Sequence, residues 1–304
     1  MKVLVAVDSL NTLNLLVDEI SSRSWPSGTE AQVLSVVDDG AVPLKVWREE
    51  GYGVSAVRRE MQRRGEQISA LAVERLREIG IPSRVVIMRG DPAYLISFAA
   101  RKWAADLIVI RAHNRTDFRS RLLGSVAKSV VESAPCSVEV VRQANPTARE
   151  FRVLLATDGS AASIAASQAI AEMNLPENTE VRVVSAVNPI IYSLEELGLS
   201  NGTGTDQAHR AIGSAVQVLS GAPVRISAEV IAGRAARQII ERALQWEADL
   251  IVLGTNERRG LSRLLFGSTS AAVANRAHCS VRVVRGGEAR PITARVFQET
   301  RKVA

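Results

Sequence analysis

Short runs of β-branched and other aliphatic residues alternate along this chain with longer stretches whose apolar positions recur every three to four residues. The first pattern suits a buried strand and the second a helix with one face in a core. Strands are accordingly predicted over residues 2–8, 31–37, 84–89, 106–111 and 137–142, with helices over 11–23, 55–79, 91–103 and 124–134. The alternation then begins again, with strands over 151–157, 180–187, 224–231, 249–254 and 280–284 and helices over 160–173, 207–220, 233–246 and 267–277. Strands separated by amphipathic helices make parallel sheets covered on both faces. Each half is therefore expected to be an α/β unit, a doubly wound five-stranded parallel sheet.

The second series copies the first. Lys2-Val3-Leu4-Val5-Ala6-Val7-Asp8 matches Arg152-Val153-Leu154-Leu155-Ala156-Thr157-Asp158 at an offset of 150. Residues 132–142, ESAPCSVEVVR, match 275–285, NRAHCSVRVVR, at an offset of 143, which puts Cys136 and Cys279 at one equivalent position. Ala104–Ile110 and Glu247–Leu253 share that second offset, so seven residues are lost between the two blocks. Order, spacing and residue type agree, as a duplication requires. One domain is assigned to 1–145 and the other to 150–285, with a tail over 286–304. The polar segment 143–150, interrupted by Pro146, is short enough to keep the two in contact.

Composition narrows the class without naming a function. The 304 residues suffice for two domains of ordinary size, and the net charge of +6 divides evenly at +3 per half. Aromatics make up 4% of the chain and arginines alternate with glutamates, so the basic balance describes solvated surface and not a nucleic-acid face. Arg58-Arg59-Glu60-Met61-Gln62-Arg63-Arg64 belongs to that surface, on one long helix with Glu66, Glu74 and Glu78. Two cysteines argue for a reducing compartment, and both begin apolar strands as small buried hydrophobes do. The segment MKVLVAVDSL reads as a first strand and not as a signal peptide, and no run has the length of a membrane span. A cytoplasmic protein is expected. His113, His209 and His278 form no metal-ligand spacing with cysteine.

Ligands of a doubly wound sheet bind beyond the carboxyl ends of the strands. The first strand of each half ends there in a carboxylate, Asp8-Ser9 and Asp158-Gly159-Ser160, and such an Asp also has a structural use in capping the next helix. After the fourth strand of the second half come Gly254, Thr255, Asn256 and Glu257, then Arg258, Arg259 and Arg263, and finally Gly267-Ser268 opening a helix. A glycine lets main-chain amides approach an anion, and a helix N-terminus supplies free N–H groups and a positive dipole end.

This segment resembles the loop of the universal stress proteins that bind ATP: a Gly, two residues, a second Gly, nine residues, then Gly and Ser or Thr. Gly254, Gly267 and Ser268 fill three of those places, and Glu257 takes that of the second glycine. The resemblance extends through both halves, including Thr157-Asp158-Gly159-Ser160 and the closing Cys279-Ser280-Val281-Arg282-Val283-Val284. It implies an adenine-nucleotide α-hydrolase-like fold and an adenine-nucleotide site formed by Thr157, Asp158, Ala186, Leu253, Gly254, Glu257, Gly267, Ser268 and Thr269. ATP is the expected ligand, with ADP or AMP as alternatives and Mg2+ accompanying the phosphates. A carboxylate about 6 Å from a phosphate costs roughly 2–3 kcal/mol at an effective dielectric near 20, which the neighbouring arginines oppose.

The corresponding first-half positions are Asp8, Val36, Ile110, Arg111, Asn114, Gly124 and Ser125. Arg111 and Asn114 stand where the two loop glycines belong, so that site is expected to be empty or remodelled. The last strands, 137–142 and 280–284, would be exposed edges in isolated halves, and an uncovered edge invites pairing. Related proteins dimerise through this strand, which implies an intramolecular pseudo-dimer and leaves open a further homodimer. The implied role is an adenine-nucleotide-binding regulator of the stress response and not an enzyme. A scaffold with two vestigial sites, or a slow ATPase, is the alternative. Residues 188–206, rich in Gly, Ser and Asn, are read as a lid or a connection.

Overall fold

The computed structural model describes residues 1–38, 54–112, 122–142, 150–197, 199, 203–255 and 267–286. The first half runs β1 (Lys2–Ala6), α1 (Leu10–Ser21), β2 (Glu30–Val37), α2 (Val54–Glu78), β3 (Ser83–Arg89), α3 (Pro92–Trp103), β4 (Leu107–Arg111), α4 (Ser125–Ser133) and β5 (Ser137–Val141). The second runs β6 (Arg152–Ala156), α5 (Ala161–Ala171), β7 (Glu180–Val187), α6 (Pro189–Glu196), α7 (Thr203–Leu219), β8 (Arg225–Ala232), α8 (Ala235–Gln245), β9 (Leu250–Thr255), α9 (Ser268–Arg276) and β10 (Ser280–Arg285). Helix α6 is an element the periodicity did not separate. Asn188 caps it by accepting from Ile190 N–H at 2.9 Å, and Glu195 accepts backbone N–H bonds from Gly204 and Thr205 at the start of α7, at 2.9 and 3.2 Å.

All ten strands form one sheet in the order β3-β2-β1-β4-β5-β10-β9-β6-β7-β8. Pairing within each half is parallel throughout. The halves join where β5 meets β10 antiparallel, with Val138, Glu139 and Val140 opposite Val283, Arg282 and Val281. The two edges that isolated halves would leave open thus satisfy each other. The outer ends of this ladder are two-fold symmetric: Arg142 N–H donates to Ser280 Oγ at 3.2 Å, and Arg285 N–H to Ser137 Oγ at 3.3 Å. A second symmetric contact, an isolated antiparallel bridge, pairs Ser24 with Asn174.

The two faces of the sheet are built differently. On one, α3, α4, α9 and α8 cover a single apolar cluster that runs through both halves, from Leu4, Ile108 and Val130 to Leu154, Ile251 and Val273. On the other, α1 and α2 cover one cluster around Val5, Leu16 and Leu76, and α5 and α7 cover a separate one around Leu155, Ile170 and Leu219. Each of these large side chains contributes about 1.5–3 kcal/mol by leaving water, so the sheet and its two helix layers account for the bulk of the stabilising burial. Among the described residues, no helix is long and apolar enough to cross a membrane. The charged stretch of α2 lies in solvent, where Arg63 and Arg64 pair with Glu60 at 2.8 and 2.9 Å.

Cys136 and Cys279 sit at equivalent points beneath α4 and α9, unoxidised, and burial pushes both thiols up to about 12. Thiolate is the reactive form, so native protein at pH 8 is expected to label about a thousandfold more slowly than unfolded chain. Mass spectrometry of protein alkylated with and without urea reads this; fast native labelling of Cys279 would contradict the packing.

Candidate functional site

In each half the first strand leads to a helix on one face and the fourth to a helix on the other, so a crevice opens between their carboxyl ends. In the second half these strands are β6 and β9. Their register sets Ala156 beside Leu253 on one side and Val184 on the other, which brings Thr157 and Asp158 to the rim between Gly254–Thr255 and Ser185–Ala186. Leu253 is buried, Ala186 half-buried, and Asp158 exposed at the rim.

The turn from β6 to α5 is held by its own polar groups. Gly159 adopts φ +77°, a left-handed conformation that favours glycine, and its N–H donates to Thr157 Oγ1 at 3.3 Å. Asp158 Oδ1 accepts the Ser160 N–H at 3.0 Å, and the helix cap itself is Ser160, whose Oγ accepts from Ser163 N–H at 3.3 Å. The aspartate therefore orders the turn without capping the helix. Burial opposes its charge, yet the donors of Ser160 and Ser163 outweigh that effect and hold the carboxyl below its usual range. It is ionised at neutral pH.

In the first half α1 starts one residue nearer its aspartate. Ser9, directly after Asp8, is the cap, and Asp8 Oδ1 is taken by the Thr12 hydroxyl at 2.5 Å. Gly159 takes the place of Ser9, so the cap moves one residue on to Ser160 and the two rims are inequivalent. Val36 is half-buried and Ile110 buried at positions matching Ala186 and Leu253, so the platform for a ligand is similar while its polar groups differ.

Gly254 has a different physical reason from the one its place in the loop suggests. A Cβ there would lie 2.2 Å from the Ala162 carbonyl oxygen, 2.3 Å from its carbon and 2.6 Å from Ser163 N. The glycine admits the first turn of α5 against the end of β9, and is not simply a gap left for phosphate. Gly286, just after β10, also lies against this turn, where a Cβ would stand 3.3 Å from Ala162 Cα. Arg111, at the same place in β4, carries a side chain, so α1 stands off from its strand.

On the far side of the crevice, Gly267 begins α9. Its N–H donates to Thr255 Oγ1 at 3.4 Å, and Ser270 Oγ donates to its carbonyl at 2.9 Å. Thr255 was not among the expected site residues, although it directly follows Gly254; it ties the strand end to the helix start. No side chain caps α9, so the first-turn amides of Ser268 and Thr269 face the crevice without an intrahelical acceptor. Helix α4 begins in the same way after Gly124, with Ser125 exposed, whereas α1, α3, α5 and α6 all have capping side chains. Asn114, His113, Glu257, Arg258, Arg259 and Arg263 lie outside the described residues, as do the linker 143–149 and residues 287–304 of the tail. His209 is exposed on α7 and His278 half-buried before β10, neither of them at a rim. Among the described residues, no group of three or more His, Cys, Asp or Glu could hold a metal.

Comparison with known proteins agrees with this architecture. The Universal stress protein family profile matches residues 1–142 and again 151–285, and the chain belongs to that family, with its domain twice in tandem. Universal stress protein Rv2005c of Mycobacterium tuberculosis is 29% identical over 189 residues, 60% of this chain and 62% of that relative. The chain thus spans less than two thirds of that relative's length. Universal stress protein MJ0531 of Methanocaldococcus jannaschii is 30% identical over 138 residues, 44% of this chain and 81% of that one. Among solved structures, a universal stress protein from Archaeoglobus fulgidus superposes with a TM-score of 0.63 at 18% identity, covering 95% of this chain and 97% of that one.

Proposed function

We propose that this protein is a cytoplasmic regulator of the stress response that binds one adenine nucleotide, ATP, at the rim of its second half. The observation that carries the reading is the meeting of an ionised, hydrogen-bonded Asp158 with the uncapped N-terminus of α9 across one crevice. An aspartate accepts from a ribose hydroxyl or an adenine amino group, and free first-turn amides favour phosphate. Leu253 and Ala186 offer apolar surface to the base, Thr157 and Gly254 form the floor, and Gly267, Ser268 and Thr269 face the phosphates. Glu257 belongs to the same loop by its spacing. Mg2+ would enter on the nucleotide's phosphates.

The first half supports weaker binding. Arg111 replaces the glycine found at position 254, placing a long side chain at the strand end. The groups in contact around the second rim are a carboxylate and the hydroxyls of Thr157, Ser160 and Ser163, polar groups suited to holding a ligand. Two halves closed on each other through β5 and β10 act in this reading as an intramolecular pseudo-dimer.

The test is calorimetry with identification of copurified ligand. The wild type should carry or bind about one adenine nucleotide per chain, and Asp158→Ala should weaken ATP at least about tenfold, as expected for a lost hydrogen bond to a charged group. Absence of nucleotide in the purified protein and of heat on adding ATP would remove the reading.

A further inference from the structure

At the middle of the antiparallel β5–β10 pairing the two-fold symmetry of the seam breaks down in charge. Glu139 and Arg282 face each other there and occupy equivalent positions of the two repeats. Arg282 Nε donates to Glu139 Oε2 at 2.6 Å, and Arg23 Nη2, from the end of α1, donates to Glu139 Oε1. Glu19 completes the group 3.7 Å from Arg23. All four side chains are at most 6% exposed. The second repeat has Met173 in the place of Arg23 and Ala169 in that of Glu19. This quartet fills the seam on the face where the apolar clusters of the two halves are separate.

We propose that the seam is a charge-coded interface whose only fitting partner is the unlike half, in the same chain or, by exchange of halves, in a second copy. The joined halves bury two acids against two bases, a neutral set. Two first halves would bury Glu139 against its own image, with the local group carrying two negative charges in excess. Two second halves would set Arg282 against Arg282 with no carboxylate at either equivalent position, an excess of two positive charges. Uncompensated charge in a buried place is strongly unfavourable, so both like pairings are rejected although the backbone ladder and the Ser137 and Ser280 bonds would allow them. Like-charge rejection of this kind sets partner choice more than strength.

Two single substitutions in the full chain reproduce the rejected seams. Glu139→Arg places Arg opposite Arg, and Arg282→Glu places Glu opposite Glu; combining them restores neutrality. Each single variant should lower Tm by about 5–10 °C, and the double variant should recover at least half of the larger loss. Recovery stops short of complete because Arg23 then lies beside the new arginine. With a protease site in the linker, cut after folding, wild-type and double-variant halves should co-elute one to one, and those of the single variants should separate on native mass spectrometry. The proposal is overturned if the single variants melt within about 1 °C of wild type, if the double loses as much as the two singles together, or if cut wild-type halves regroup as like pairs. Should neither single variant fold, a folded double variant supports the proposal and an unfolded one overturns it.

Discussion

Replacing Gly254 by alanine is expected to destabilise the protein by about 3 kcal/mol or more, beyond the common range for one added methyl group. The new Cβ would fall within 2.6 Å of three backbone atoms of Ala162 and Ser163. A flexible side chain could move aside, but here the obstacle is the main chain of a helix. The first turn of α5 would have to lift from β9, carrying with it the Ser160 cap and loosening Ala166 and Ile170, which are fully buried further along. Gly267→Ala makes the contrasting case. Its Cβ would meet Ser270 Oγ at 3.2 Å and Thr255 Oγ1 at 3.5 Å, so about 1 kcal/mol or less is expected. Urea unfolding of the two variants separates them. Equal midpoints would mean that α5 does not lie as close to β9 as described.

The second large effect is in acid. Burial alone would raise the carboxyl of Glu139, but Arg23 and Arg282 overcome it and hold the group well below the ordinary value of 4.5, near 2. The unfolded chain therefore takes up the proton first. Stability due to this group is complete above about pH 5, declines as pH falls through the ordinary carboxylate range, and is gone below about pH 2. Glu139→Gln should lose about 3–5 kcal/mol at pH 7, since two buried guanidinium groups then lack their shared partner, and its stability should fall less steeply between pH 5 and pH 2. Glu60 shifts in the same direction, but it lies in solvent beside Arg63 and Arg64. Salt screens that surface cluster far more than the buried one, so unfolding curves in 0.5 M salt, an added ~0.5 M, isolate the buried contribution. Parallel pH profiles for wild type and Glu139→Gln at that salt would show that Glu139 is not the group responsible.

Much of the architecture was legible because it depends on local periodicity and on repetition. Apolar runs placed each strand to within two residues, and the two offsets identified β5 and β10 as equivalent edges. Helix α6 escaped notice because Asn188-Pro189 and the glycines nearby look like loop chemistry, while its stability depends on a cap and on Glu195 reaching the next helix. The site was legible in outline only. Spacing selected Asp158, Gly254 and Gly267, yet Gly159 in the place of Ser9 moves the helix cap on to Ser160 and changes the donor on the aspartate from the Thr12 hydroxyl to the Ser160 N–H, which an unbroken offset of 150 conceals. The packing reason for Gly254 is a contact with residues about ninety positions earlier, invisible to any motif. Glu139 and Arg282 alternated with valines as solvent-facing strand residues do. Only the antiparallel register shows that they face one another in the interior.

The covalent joining of the repeats bears on how such a chain can change. In an assembly of identical subunits, a residue beside the symmetry axis must tolerate its own reflection, and each mutation there is introduced twice. Here Ser24 touches Asn174 and not another serine. Each place along the axis can therefore drift alone, and one repeat can keep a ligand cleft while its sibling surrenders that task to become permanent support.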